Sequence, residues 1–397
     1  MEENNGMRLL KHNIPLFLAQ RFLCDFLLIA PILIPFYQYN RLGAFAFYLS
    51  QAVYALTVFV MEVPSGYLAD VIGRRKTLII GALLFPLGLT VYALGSSLPV
   101  FLAAEFVLAV GHSMRSGSDS AMLYDSLKEL TRETEYASIE GRGNQFARIG
   151  TGIASISGGL LAALSMRLPF WFNILTGLAL IPLVVAMTEP ERKKASGQNP
   201  LQNILRIAVE SMKNPDIRPF ILLLGLIGSV SVIALWAYFM YYQSVGIPLA
   251  LFGVLFAAFQ FSGALGARFS SVVAVKAGPL RLLQGSLLIS PILLLVGLMR
   301  SPWLLPLIMF HPFIWNLTIP VLLQQINLRS DSQVRATVLS LANMGVSFGY
   351  VLIGPVFGRI SDRLPLGYCF IFLSFVYLFF ALVLLSTIRR RWHIRIE

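Results

Sequence analysis

Gly66-Tyr67-Leu68-Ala69-Asp70-Val71-Ile72-Gly73-Arg74-Arg75-Lys76 is a short charged turn wedged between two long apolar runs. Gly66 offers room for a close helix approach, Gly73 permits a tight turn, and Asp70 and Arg74 can form an ionic latch where the apolar runs end. Working outward, 57% of the 397 residues are apolar or aromatic and only 13% are charged, and the mean hydropathy is +0.74. Soluble domains carry about twice that charged fraction. The chain is therefore read as a polytopic, all-α membrane protein, which excludes a cytosolic fold, a secreted enzyme and a disulfide scaffold.

Charges, Pro and Gly divide the apolar sequence into spans 1–6 at 14–39, 44–69, 77–96, 98–120, 143–166 and 168–188. Spans 7–12 follow at 217–243, 249–275, 280–299, 302–327, 334–358 and 365–388. Each suffices to cross about 30 Å of hydrocarbon. The long polar interval 189–216 separates six spans from six, so the expected domains are residues 1–188, a linker at 189–216 with a short surface helix at 201–212, and residues 217–397 with a basic tail. An offset of 205 aligns Gln38 with Gln243, Gly73 with Gly278, Lys76 with Arg281 and Pro86 with Pro291. An offset of 195 pairs Gly150 with Gly345 and Gly159 with Gly354. Two homologous six-helix bundles are expected, an architecture in which a site near the midplane is exposed alternately to the two sides.

The net charge of +12 would suggest nucleic acid in a soluble domain, but here it has a topological explanation. With the N-terminus in the cytoplasm, 23 Lys and Arg fall on the cytoplasmic side, five (Arg41, Arg167, Arg300, Arg359, Arg363) outside and three (Arg21, Arg115, Arg148) within spans. That bias obeys the positive-inside rule and predicts both termini in the cytoplasm, with no nucleic-acid partner. Cys24 and Cys369 lie in apolar spans as packing residues, and His12, His112, His311 and His393 lack metal-ligand spacing. No cofactor or metal is expected. Neither a Walker motif nor a nucleophile–base set is present, so neither ATP drive nor enzymatic chemistry is expected.

The stretch 66–76 resembles the loop 2–3 signature of the major facilitator superfamily, G-x-L-x-D-x-x-G-R-[RK], at every fixed position. The resemblance extends over essentially the whole chain through its length, topology and repeat. It implies a monomeric secondary transporter of two pseudo-symmetric bundles in the bacterial cytoplasmic membrane. It also implies a conformational latch of Gly66, Asp70, Gly73, Arg74 and Arg75, with Asp119 or Asp125 as the acid that meets Arg74 and the start of span 11 as the partner of Asp70. Glu62-Val63-Pro64-Ser65-Gly66 and Tyr124-Asp125-Ser126-Leu127 look like one bacterial branch of the family. The chain departs from common family patterns at two places. Glu105 occupies the position of a span 4 arginine, and Ala154-Ser155 replace a Gly-Pro pair of span 5.

Ionisable groups inside a bilayer are costly and mark function by default. Those in the first half are Arg21, Asp25, Glu62, Glu105, His112, Arg115, Asp119 and Arg148, and none falls in the cores of spans 3 and 6. At 1.5 Å per residue Asp25 lies about 16 Å deep, and its i, i+4 spacing from Arg21 puts both on one helical face. The expectation is an Arg21–Glu62–Arg148 cluster beneath Asp25, with Glu105 isolated toward the outside. Asp25, Glu62 and Glu105 are the candidates for proton coupling, and Arg21 and Arg148 for gating or for an anionic substrate group. Trp236, Tyr242, Gln260, His311 and Asn316 in the second half would bind an amphipathic organic substrate. The function expected is proton-coupled efflux of a small organic compound. The alternatives are proton-linked uptake of a metabolite or siderophore-type ligand, and a lipid flippase.

Overall fold

The computed structural model describes residues 2–190, 200–331 and 334–392. The linker positions 191–199 and the end of the basic tail, including His393, lie outside the described residues. The described chain is helical, without strands. In chain order the helices are α1 Glu2–Cys24, α2 Leu33–Tyr39, α3 Ala44–Ile72, α4 Arg74–Leu94, α5 Leu98–Arg115, α6 Ser118–Glu129, α7 Tyr136–Leu164 and α8 Leu168–Ala186. Then come α9 Pro200–Lys213, α10 Arg218–Ser244, α11 Phe252–Ala277, α12 Pro279–Gly285, α13 Ile289–Leu298, α14 Leu305–Arg329, α15 Arg335–Ser361 and α16 Leu366–Trp392. Among the described residues, 11 segments are long and apolar enough to cross a membrane. Span 1 is not among them because its helix is broken between α1 and α2.

Proline and glycine set many of the boundaries. α5, α8, α10, α12 and α14 each carry Pro in the first two positions, where the missing N–H would have had no helical partner. Gly73 precedes α4 at φ +114° and Gly278 precedes α12 at φ +85°, a backbone region that side chains disfavour. These two residues are repeat partners at the offset of 205. Span 4 is divided by a turn at Gly117 into α5 and α6.

The contacts define two compact units. The first comprises Met1–Asn40, Leu56–Gln198 and Leu249–Ala257; the second comprises Arg41–Ala55, Asn199–Pro248 and Ala258–Glu397. The expected division at the linker is thus modified by two exchanged pieces, the start of α3 and the start of α11. In the first unit α4 packs between α5 and α8, and α1 lies on α7 and α8. One core cluster gathers Cys24, Leu78, Met122, Leu180 and Val184, and another Phe17, Leu123, Leu127 and Ile139. In the second unit α10 packs against α14, α15 and α16, and α13 packs against α16. Many large apolar side chains stay exposed, such as Leu164, Val275, Phe375 and Phe379, as expected where lipid rather than water surrounds the helices. α9 falls where a surface helix was expected, with Ile207 and Ser211 buried and Arg206 and Glu210 exposed.

Candidate functional site

The break in span 1 has a local cause. Pro31 has no N–H to offer Leu27, and its ring disfavours a helical carbonyl four residues back. α1 therefore ends at Cys24, and a 3-10 turn at Ala30–Ile32 leads into α2. The backbone groups released by the break are taken up by side chains of the same unit. Asn173 Nδ2 donates to Phe26 O at 2.6 Å while its Oδ1 accepts from Ile29 N at 3.2 Å. Thr151 Oγ1 lies 3.0 Å from Asp25 O. α7 closes against the break backbone to backbone: a Cβ at Gly158 would lie 1.9 Å from Leu28 O, and one at Gly150 2.6 Å from Phe22 O.

The break also alters the expected charge geometry. Asp25 lies one residue beyond α1, so the i, i+4 face it was to share with Arg21 is not continued. Arg21 turns instead toward α6 and α7. Its Nη2 donates to Glu140 Oε1 at 2.6 Å and to Ser120 Oγ at 2.8 Å, its Nη1 is 3.4 Å from Asp119 Oδ2, and its guanidinium lies 5.1 Å from the Phe17 ring centre. Asp25 and Asp119 act electrostatically on Arg115, which lies beside Cys24 with its Nη2 3.2 Å from His112 Nδ1. Two arginines thus face three carboxylates, Asp25, Asp119 and Glu140. Counted as formal charges, the three carboxylates outnumber the two guanidinium groups by one, an excess that a single proton or a cationic group would balance. Arg21 Nε and Glu140 Oε2 are buried without a hydrogen-bond partner among the described residues, so the set retains bonding capacity. Glu140 lies outside the apolar run 143–166 but within α7, which begins at Tyr136, so hydropathy does not reveal it.

The other first-half candidates are dispersed. Glu62 and Arg148 are exposed on α3 and α7, and Arg21 bonds to Asp119 and Glu140 in place of the expected cluster with them. Glu105 is 3% exposed. It is not isolated: it accepts a 2.6 Å hydrogen bond from Tyr92, whose hydroxyl is 2.8 Å from that of Tyr37. The rings of Phe36, Phe101 and Phe170 enclose this pair of tyrosines.

At the charged turn, Arg74 pairs with Asp125 and also donates to Ala121 O. Of the two acids expected near Arg74, Asp125 is the one bonded to it, while Asp119 belongs with Arg21. The Glu189 carboxylate, at the start of the linker, accepts from Arg74 N at 2.9 Å and Arg75 N at 2.7 Å. It thereby caps the N-terminus of α4, where negative charge is favoured by the helix dipole. Arg75 donates to Val185 O. Asp70 is exposed near the end of α3. Gly66 departs from its expected packing role, because a Cβ there would meet nothing within 4 Å.

In the second unit His311 is fully buried between α10 and α14, its Nε2 2.9 Å from Ser231 Oγ and its Nδ1 2.6 Å from Tyr238 Oη. Both partners are hydroxyls able to donate or accept, so either imidazole tautomer is satisfied. Tyr242 is buried edge-on to Phe239, and half-buried Trp236 lies edge-on to Phe47. Asn316 Nδ2 donates to Pro312 O in its own helix at 2.9 Å. Asn316 and Gln260 are half-buried. These second-half candidates therefore divide into an enclosed pair, His311 and Tyr242, and a more accessible trio, Trp236, Gln260 and Asn316.

The family model of the Major Facilitator Superfamily matches residues 21–354. Multidrug resistance protein 2 of Bacillus subtilis (strain 168) is 23% identical over 363 residues, covering 88% of either chain. Quinolone resistance protein NorA of Staphylococcus aureus (strain MRSA252) is 26% identical over 219 residues, 53% of this chain. That match spans about half the length of NorA, at 55%. The crystal structure of the nucleoside transporter NupG superposes with a TM-score of 0.78 at 13% identity, covering 96% of this chain and 98% of NupG. At that identity the likeness concerns the fold.

Proposed function

The chain belongs to the major facilitator superfamily and is a multi-pass membrane transporter, and on that premise we propose that it exports small organic compounds in exchange for protons. The observation that carries the proposal is the excess carboxylate of the Asp25–Arg115–Asp119–Arg21–Glu140 set, placed at a discontinuity in the first span. Discontinuous helices are where transporters of this general kind build their sites. A proton and an organic cation would compete for the same surplus charge, which is the requirement for obligatory exchange: occupancy by one displaces the other. Asp25 is the proposed exchange site, because it lies in the broken segment and a change in its charge acts directly on Arg115. Arg21 is then a positioning group for Glu140 and Asp119 rather than a receptor for an anion. The names of two relatives, a multidrug and a quinolone resistance protein, support efflux as the direction. The bias of basic residues supports both termini on the cytoplasmic face of a bacterial cytoplasmic membrane.

The test is transport in proteoliposomes under an imposed pH gradient, with cationic, neutral and anionic amphipathic dyes. Wild-type protein should move cationic dyes against proton flux. Asp25→Asn should lose both cationic-dye binding and the response to the gradient, while keeping its thermal melting profile. Wild-type gradient-driven rates in Asp25→Asn would overturn the proposal.

A further inference from the structure

A cavity lies in the second unit, where the end of α10, the end of α13 and the start of α16 meet. Its volume is about 490 Å³, and its lining includes Tyr241, Ser244, Leu298, Arg300, Leu366 and Tyr368. It lies at the end of α10 remote from Arg218, and hence remote from the linker. α13 and α16 are in backbone contact beside it: a Cβ on Gly367 would come within 2.4 Å of Gly297 O.

Arg300 is held in place by its surroundings. The Tyr241 hydroxyl, on a side chain 2% exposed, lies 3.0 Å from Met299 O and 2.8 Å from Ser301 O and accepts from Ser301 N at 3.1 Å. These contacts fix the backbone on both sides of Arg300. Its Nε then donates to Ser244 O at 2.8 Å, which sets the plane of the guanidinium and leaves the two terminal amino groups as a pair of parallel donors. That fork matches two oxygens of a phosphodiester. Arg300 is the sole charged residue in the lining, and no carboxylate accompanies it. Apolar side chains surround it: Leu298, Met299 and Tyr368 are exposed in the described structure, as is Trp303 beyond them at 88%, a residue type that anchors proteins at membrane–water interfaces.

We propose that this cavity binds the headgroup and upper chains of an anionic phospholipid, with its phosphodiester on the Arg300 fork. A zwitterionic headgroup would bring an ammonium group for which the lining offers no acid. A soluble anion would leave the apolar walls uncovered.

Native mass spectrometry of the detergent-solubilised full chain, supplied with phosphatidylglycerol or phosphatidylcholine, tests the assignment. Wild type should retain phosphatidylglycerol, and Arg300→Gln should bind it about tenfold more weakly, equivalent to about 1.4 kcal/mol. Arg300→Lys, which keeps the charge but not the fork, should fall between them, and Leu298→Asp should weaken binding by repulsion. Phosphatidylcholine should bind weakly to every form, and excess inorganic phosphate should not displace the lipid. Equal phosphatidylglycerol retention by wild type and a normally melting Arg300→Gln would overturn the proposal. Equal retention of both lipids by wild type would do the same, as would displacement by inorganic phosphate.

Discussion

The Asn173 amide spans both sides of the break in the first span, donating to Phe26 O and accepting from Ile29 N. A continuous helix would pair such groups along its own axis; here one residue of α8 substitutes for the lost bonds. Asn173→Leu keeps the approximate volume and removes both partners, leaving a carbonyl and an amide unpaired in an apolar setting. Each such loss costs about 1–3 kcal/mol. Thermal unfolding of the purified variant should show a clear drop in midpoint, and an unchanged midpoint would contradict this role for Asn173.

Gly158 and Gly152 lie on the same helix in opposite environments. A Cβ at Gly158 would collide with Leu28 O, whereas one at Gly152 would meet nothing within 4 Å. Gly152→Ala should be neutral or more stable by about 0.5–1 kcal/mol, the usual gain of alanine within a helix. Gly158→Ala should melt well below wild type or fail to accumulate in the membrane. Similar melting of the two variants would show that α7 and the broken segment do not need their close approach.

For the Arg74–Asp125 pair, whose side chains are 20% and 22% exposed, the relevant quantity is a coupling. Arg74→Gln and Asp125→Asn should each destabilise, and the double variant should lose less than the sum, by about 0.5–3 kcal/mol. Additive losses in chemical or thermal unfolding would mean that the two groups stabilise the protein independently.

Asp362, just after α15, accepts from Ala44 N at 2.7 Å and Phe45 N at 3.1 Å at the start of α3, within the second unit. Removal of a helix-capping side chain costs about 0.5–2 kcal/mol. In Asp362→Ala the amides of residues 44–48 should exchange with deuterium roughly 5-fold faster or more, a ratio that about 1 kcal/mol produces, while α10 stays protected. Exchange at the wild-type rate would rule out the capping contribution.

The turn at 66–76 was legible because much of what it requires is local. Gly73 takes up its positive φ, Arg74 finds an acid, and the offset of 205 leads to a second helix start with the same backbone requirement at Gly278. The break at Asp25 was hidden because hydropathy treats 14–39 as one run, although Pro31 and Pro35 were visible within it. Once α1 stops at Cys24, a helical spacing can no longer relate Arg21 to Asp25, and the partners pass to Arg115 and Glu140. Glu140, Glu189 and Asp362 are hidden in the sequence for another reason. Hydropathy marks the boundary of the oily region, whereas their bonds are made by helix ends and by side chains beyond it. Packing of Asn173 and Thr151 against distant backbone has no sequence period and could be read only from the fold.

The two exchanged pieces in the compact units bear on how the protein is made. The start of α3 is among the first apolar segments to leave the ribosome, yet its capping partner Asp362 and the helix beside it at Gly358 come more than 300 residues later. At about 5–20 residues per second, translation needs roughly 15–60 s to supply them. Throughout that interval the start of α3 lacks its Asp362 cap. The start of α3, which belongs to the second unit, therefore gains its cap only after most of the chain has been made. A first fragment severed at the linker should leave the amides of Ala44 and Phe45 without the Asp362 cap.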